Sequence, residues 1–309
     1  MWLVFALLSF ILWGAADLFY KKGNHLSEKY THLKTGIAVG LVMGLHAIIT
    51  LFVTKTSFDP RNILIYLPVS LLYISSMIIG YFGLRYLELS ISSPIQNASG
   101  AVTCILLMIV LKRMPDTWSM IAILLISAGV IGLGAIEHKQ CLQLTDCTDQ
   151  KHRYGFIAIL IPVLYCVIDS LGTFFDGLYI DDIATTPLVG ITEENFETIA
   201  NCSYELTFFL VAILLAGYVF IIQKEPLQFR CQGNLLTAAL LETAGQFTYI
   251  YALSGNAVVA APVIASYCVC SILLARLFLK EKLTKSQWVM VSLVIAGILI
   301  LGILEGFAE

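Results

Sequence analysis

Apolar residues in this chain come in long runs, and polar residues gather in the short gaps between them. Ten runs are long enough to cross a bilayer, near 2–22, 33–54, 62–86, 90–111, 117–136, 154–176, 204–223, 234–253, 256–279 and 286–305. A helix of about 20 apolar residues matches the ~30 Å hydrocarbon layer. In lipid, separate spans satisfy their backbone only as helices. The pattern predicts an all-α membrane protein of about ten transmembrane helices.

The runs also repeat. Residues 80–113 read GYFGLRYLELSISSPIQNASGAVTCILLMIVLKR, and residues 249–282 read YIYALSGNAVVAAPVIASYCVCSILLARLFLKEK. A shift of 168–169 residues lays one on the other and brings Pro94 onto Pro262. Each copy then continues into one more apolar run. The expected organisation is a five-helix repeat over 1–136, a polar connector over 137–153, and a second five-helix repeat over 154–309 with an acidic loop at 177–203. Five is an odd number, so the second half enters the membrane from the opposite face. Two inverted repeats around a central cavity are expected, with a site near the midplane, as in many secondary transporters.

Composition removes the soluble alternatives. Hydrophobic residues make up 59% of the 309 and charged residues 13%, against about a quarter charged in a soluble domain. A net charge of −3 gives no reason to expect nucleic acid. The first run leads into Asp17 and Lys21-Lys22 without a small-residue cleavage site, so no cleaved signal is expected. Lysine and arginine fall 14 in the odd-numbered loops and span ends against 4 in the even-numbered ones. That asymmetry puts the odd loops in the cytoplasm and both termini outside. The acidic loop carries Asp181, Asp182, Glu193, Glu194 and Glu197 and reads as a solvated external loop rather than a lid.

The cysteines form no framework. Cys104, Cys166, Cys268 and Cys270 lie in apolar spans, where they pack. Cys141 and Cys147 share a loop and pair only on an oxidising face. No histidine pair accompanies them, so no metal is expected. Asn201-Cys202-Ser203 fits a glycosylation sequon, which has meaning only in a eukaryotic secretory pathway.

WGAADLFYKK in the first span, YIYAL before the ninth and LFLKEKLT before the tenth resemble the EamA-type members of the drug/metabolite transporter superfamily. The resemblance covers nearly the whole chain in two copies. In the first copy Lys112-Arg113-Met114-Pro115 replaces the expected acidic-basic-Leu-Thr ending, and the acidic loop exceeds the short connection usual in the family. What the resemblance implies is a ten-helix basket around a central cavity that moves small metabolites, often with protons. It implies no substrate, because one scaffold serves many.

Ionisable side chains inside a span are costly enough to need a reason. Asp17 follows Trp13 by four residues and Asp169 follows Tyr165 by four, so WGAAD and YCVID are repeat mates with an aromatic and a carboxylate on one helix face. The bland reading of Asp17 is an interfacial or capping residue beside its lysines. Asp169, with apolar neighbours and Pro162 nearby, is expected to be the more desolvated and the more important. Glu242 is the third candidate, with Gln246 one turn on; the alternative there is a packed, hydrogen-bonded pair. Each aspartate sits past the centre of its span by ~7 Å of helix rise, which in inverted halves predicts a separation on the order of 15 Å. The two would then act as stations that load and release a cation or proton in turn.

A desolvated carboxyl holds its proton nearer neutral pH, so an arriving cation competes with that proton. No lysine or arginine falls deep inside a predicted span, which favours cationic or zwitterionic cargo over anions. Trp13, Tyr81, Tyr165, Tyr249 and Tyr267 offer ring faces to a cation, although aromatics in spans are as often packing residues. Gln96 and Asn97, adjacent amides after Pro94, are better placed to face a cavity. Pro94 and Pro262 each remove a backbone hydrogen bond and are the expected hinges, the alternative being that they only mark where each helix begins. His46 reads as a satisfied interior histidine.

The expected function is a proton-coupled secondary transporter, an exporter or antiporter of a small cationic or zwitterionic metabolite or drug, in the plasma membrane. Rival readings are a structural or sensory membrane protein on the same scaffold and a lipid-headgroup flippase. Expected partners are a small-molecule substrate, protons, the lipid bilayer and, as an assembly, a second copy of the chain; nucleic acid, cofactor and metal are not expected. No spacing of histidines, cysteines or glycines suggests an enzyme.

Overall fold

The apolar runs become helices whose outward faces are as apolar as their inward ones. Phe52, Leu64, Leu214 and Ile221 are at least 70% exposed, and a surface of this kind is stable against hydrocarbon rather than water. The computed structural model describes residues 1–24, 28–87, 89–145, 152–225, 229–280 and 283–308. The first half runs α1 (Trp2–Gly23), α2 (Thr31–Thr54), α3 (Arg61–Gly83), α4 (Leu89–Asn97), α5 (Ser99–Leu111) and α6 (Thr117–Thr145). The second runs α7 (His152–Ile180), α8 (Phe196–Ala216), α9 (Phe229–Ala265), α10 (Cys268–Leu274) and α11 (Lys285–Ala308). Wider π-type turns, Gly217–Ile222 and Ala275–Leu279, extend α8 and α10. No strand occurs among the described residues.

Nine stretches among the described residues are long and apolar enough to cross a membrane, and one of them, Gly233–Leu279, has 47 residues. At 1.5 Å per residue that is ~70 Å, twice the hydrocarbon thickness. It contains the expected spans eight and nine, separated inside α9 by the extended backbone of Asn256 (φ −167°, ψ 81°).

The halves pack reciprocally. The most extensive contacts join α1 to α9, α2 to α8, α6 to α11 and α3 to α7, so each outer helix of one half lies on a helix of the other. The fourth and ninth spans are both broken, at Ala98 between α4 and α5 and at Ser266-Tyr267 between α9 and α10. Pro94 and Pro262 lie inside α4 and α9; the breaks come one turn later. There the chain tightens into three-residue turns, Ala101 N donating to Ala98 O (3.2 Å) and Val269 N to Ser266 O (2.9 Å). Such a tightened turn is the softer point of a helix.

The repeat extends to the helix ends. Asp116 caps α6, accepting from the backbone of Trp118 (2.9 Å) and Ser119 (3.2 Å). Its mate 168 residues on, Thr284, forms a capping box with Gln287 ahead of α11. The Ser119 hydroxyl, with the backbone bonds, holds the Asp116 carboxyl below its usual range. The cap is therefore complete at neutral pH and is lost as pH falls through that depressed value. Among the described residues, the non-glycines with positive φ are four lysines, Lys55, Lys112, Lys224 and Lys280. They terminate the second, fourth, seventh and ninth spans, and all are exposed.

Several expected boundaries move. Helix α7 persists to Ile180 and α8 starts at Phe196, so the acidic loop contracts from 177–203 to 181–195. Its sequon falls inside α8, where Asn201, Cys202 and Ser203 are at most 1% exposed, which rules out the glycosylation reading. Helix α6 continues to Thr145 and includes Cys141; Cys147 and the rest of the connector, 146–151, lie outside the described residues. Nor is the acidic loop simply solvated. The buried Asn62 side chain donates to Val189 O (2.9 Å) and accepts from Val189 N (2.8 Å), and Leu188 is packed below. Removing both bonds in Asn62→Ala is expected to cost about 1–3 kcal/mol locally and to speed hydrogen exchange across 181–195. Unchanged exchange there would show that the clamp does not hold the loop.

Candidate functional site

A cavity of about 70 Å³ lies where α1, α3, α4, α5, α7, α8, α9 and the turn before α10 converge, room for several waters or a small polar group. Its wall contains Asp17, Asp169, Glu242, Gln246, Trp13, Tyr165, Gln96, Asn97 and Tyr267. The candidates chosen from sequence are thus brought together, apart from the two prolines, which sit buried behind the wall. Tyr20, Tyr73, Tyr81, Tyr204 and Tyr249 add further hydroxyls. Among the described lining residues, carboxylates are present and lysine and arginine are absent.

Each carboxylate is held by hydroxyls rather than by a cation. Asp17 Oδ2 accepts from Ser93 Oγ of α4 and Ser271 Oγ of α10, both at 2.7 Å. One aspartate of α1 therefore ties together the two broken spans, one from each half. Asp169 Oδ2 accepts from Ser99 Oγ at the start of α5 (2.8 Å), with Ser76 Oγ at a long 3.5 Å from Oδ1. Glu242 Oε2 accepts from Tyr20 OH (3.1 Å), while Trp13 Nε1 donates to its backbone carbonyl (3.3 Å). The Trp13 ring packs on Tyr249 and Tyr267 at 5.1 and 5.8 Å between centroids.

Several sequence expectations are refined. Asp17 is 9% exposed and Asp169 only half-buried, so burial does not rank Asp169 first. Lys21 turns to the carbonyls of Leu84 and Leu87 and Lys22 lies over the Phe19 and Phe278 rings. The bland interfacial reading of Asp17 fails, because its carboxyl points into the cavity wall. Asp17 and Asp169 bind serines six residues apart on one broken helix, ~9 Å of rise.

Gln246 Nε2 is buried with no hydrogen-bond partner among the described residues, so the Glu242–Gln246 pair is not a closed structural unit. Gln96 Nε2 is likewise unpartnered, leaving two amide donors in the wall. Asn97 instead bonds back to Ser93 O (2.8 Å) and Ser93 Oγ (3.2 Å). His46 does have a partner: Nδ1 lies 2.8 Å from Oε2 of the buried Glu205, between α2 and α8 and away from the cavity.

Sequence reasoning missed Ser93, Ser99 and Ser271, the acids Asp176 and Glu205, and Tyr73. The Ser-Ser-Pro stretch at 92–94 was the available signal for the first serine. The seven-residue step from Asp169 to Asp176, two turns on one face, was the signal for the second acid of α7.

No curated protein matches the sequence. One solved crystal structure, described only as a protein, aligns over 100% of this chain and 98% of its own, with a TM-score of 0.65 at 13% identity; that likeness concerns the fold alone. The model of the EamA-like transporter family matches residues 1–135 and 184–303. The match takes in both halves and more than half of the residues, so this multi-pass membrane protein belongs to the EamA-like transporter family.

Proposed function

We propose that the chain is a proton-coupled secondary transporter of the plasma membrane that exchanges protons for a small cationic or zwitterionic metabolite or drug. The observation that carries this reading is a cavity between the two halves with Asp17, Asp169 and Glu242 in its wall and no basic residue among its described lining. A cation entering it finds carboxylates held by hydroxyls, which yield to a competing positive charge more readily than an ion pair does. The aromatic faces of Trp13, Tyr249 and Tyr267 support the same choice of cargo. Gln96 and Gln246 supply donors for the carboxylate of a zwitterion.

Alternating access follows from the proposed inverted arrangement. The fourth and ninth spans bend at Ala98 and Ser266-Tyr267, and Asp17 links the two. Rocking one half against the other opens the cavity first to one face and then to the other. The charge asymmetry supports cytoplasmic odd loops with both termini and the 181–195 loop outside.

Vesicles containing the purified protein, offered radiolabelled arginine, lysine and threonine together with the cationic dye ethidium, test the reading. Uptake driven by an imposed pH gradient is expected for at least one probe. Folded protein that moves none of them would favour the structural or sensory rival, and movement of labelled lipid headgroups instead would favour a flippase.

A further inference from the structure

Asp176 is a fully buried carboxyl, 0% exposed, that does not line the central cavity. It stands on α7 two turns beyond Asp169 and one turn before the helix ends at Ile180. That places it between the cavity and the face carrying the 181–195 loop, ~6 Å of helix rise from the end.

Tyrosines surround it. Tyr66 OH of α3 donates to Asp176 Oδ1, Asp176 Oδ2 is buried with no hydrogen-bond partner among the described residues, and the hydroxyls of Tyr249 of α9 and Tyr73 of α3 lie nearby. Tyr73 OH and Tyr249 OH are 2.6 Å apart, and Tyr73 OH donates to Thr173 Oγ1 at 2.9 Å. Tyr73, Thr173 and Tyr249 line the cavity. The other titratable rings nearby are Tyr204 of α8 and Tyr179 of α7, which pack on Tyr66. Leu107 of α5 and Ala257 of α9 close the side next to Gly177. No cation pairs with Asp176 among the described residues.

A lone carboxylate charge in such a setting is costly. A purely structural site would be served as well by an amide or an apolar residue. Resting on the proton-coupled reading above, we propose that Asp176 is the proton store of the transporter, filled from the cavity through the hydroxyls of Tyr73 and Tyr249. In each transfer the hydroxyl of Tyr73 or Tyr249 turns its proton from its present acceptor toward the open Oδ2, releases it to the carboxylate and accepts one proton from the cavity side. No tyrosinate accumulates, and the net change is one proton moved from the cavity to Asp176. Because the store lies off the cavity, it holds its proton whether or not cargo occupies the site, whereas Asp17, Asp169 and Glu242 must compete with that cargo.

The test uses the vesicles and the same arginine, lysine, threonine and ethidium mixture in two assays. One is exchange at equal pH across the membrane, and the other is uphill uptake driven by a pH gradient. Asp176→Asn is expected to keep exchange within about twofold of the natural protein and to lose at least about tenfold of uphill uptake, with Asp176→Glu restoring part of it. Retention of uphill uptake in Asp176→Asn, or equal loss in both assays, would overturn the store while leaving the coupled reading intact. Absence of uphill uptake in the natural protein would overturn coupling and store together. Should Asp176→Asn not reach the membrane, Tyr66→Phe keeps the acid and removes its hydrogen-bond donor. It is expected to shift the pH midpoint of uphill uptake with exchange unchanged, and an unshifted midpoint counts against the proposal.

Discussion

Asp169→Asn is expected to abolish the pH dependence of transport while the protein remains folded and in the membrane. Asp169 is half-buried, opens to the cavity and is held mainly by one serine at the start of α5. An amide fills the same space and accepts the same hydrogen bond but has no proton to exchange, so cargo can still bind while coupling is lost. Asp17→Asn is expected to act differently. Its carboxylate accepts from Ser93 and Ser271 at once, and each hydrogen bond to a charged group contributes about 1.5–3 kcal/mol. The amide oxygen can still accept from both serines but carries no charge, so both bonds weaken and apparent affinity should fall by about tenfold or more while part of the pH response remains. Initial rates measured against pH and cargo concentration separate the two outcomes. A pH profile in Asp169→Asn that matched the natural protein would remove this residue from the coupling step, and Glu242, held by Tyr20, would take its place.

Gly100→Ala should be the most damaging of the small substitutions. A β-carbon there would come 2.3 Å from Ala265 Cβ, 3.1 Å from Ala261 O and 3.3 Å from Pro262 Cα. These are parts of α9 that cannot swing aside as a long side chain would. Close helix approach over small residues is a main source of cohesion in membranes, and overpacking of this kind costs about 1–3 kcal/mol. Ala261 and Ala265 also line the cavity, so separating α5 from α9 should deform the site and stop transport. Gly217→Ala is the matched control, because a β-carbon there meets nothing within 4 Å. Equal unfolding midpoints for the two variants would show that the crossing of α5 and α9 is not tight.

The spans were legible because lipid demands the same thing everywhere along them, an unbroken apolar run. The cavity residues Trp13-Asp17 and Tyr165-Asp169 were legible because each pair stands in the same place in its half and breaks that run with a charge. The serines that hold the aspartates carried no such mark. A serine in a membrane helix can bond to the carbonyl one turn back, as Ser271 also does with Tyr267 O at 3.2 Å, and nothing in the sequence says which serine reaches further. Asp176 and Glu205 were hidden by misjudged helix ends. With the sixth span drawn to 176 and the seventh begun at 204, both looked like residues at the water's edge. The helices in fact run to Ile180 and start at Phe196, which carries both acids well inside. Spans eight and nine form one helical stretch because Asn256, alone in extended conformation, separates them with hardly any loop.

The four left-handed lysines limit the kind of motion the protein can make. On the proposed topology Lys55 and Lys112 anchor helix ends at one membrane face, and Lys224 and Lys280 anchor ends at the other. Drawing any one of these ammonium groups to the middle of the hydrocarbon would cost about 2.5–3.5 kcal/mol. A carrier that slid a domain bodily across the bilayer, like a lift in its shaft, would have to drag such groups inward on every cycle. Tilting about the midplane keeps all four in the headgroup region, so under the proposed alternating access these moorings favour a see-saw stroke.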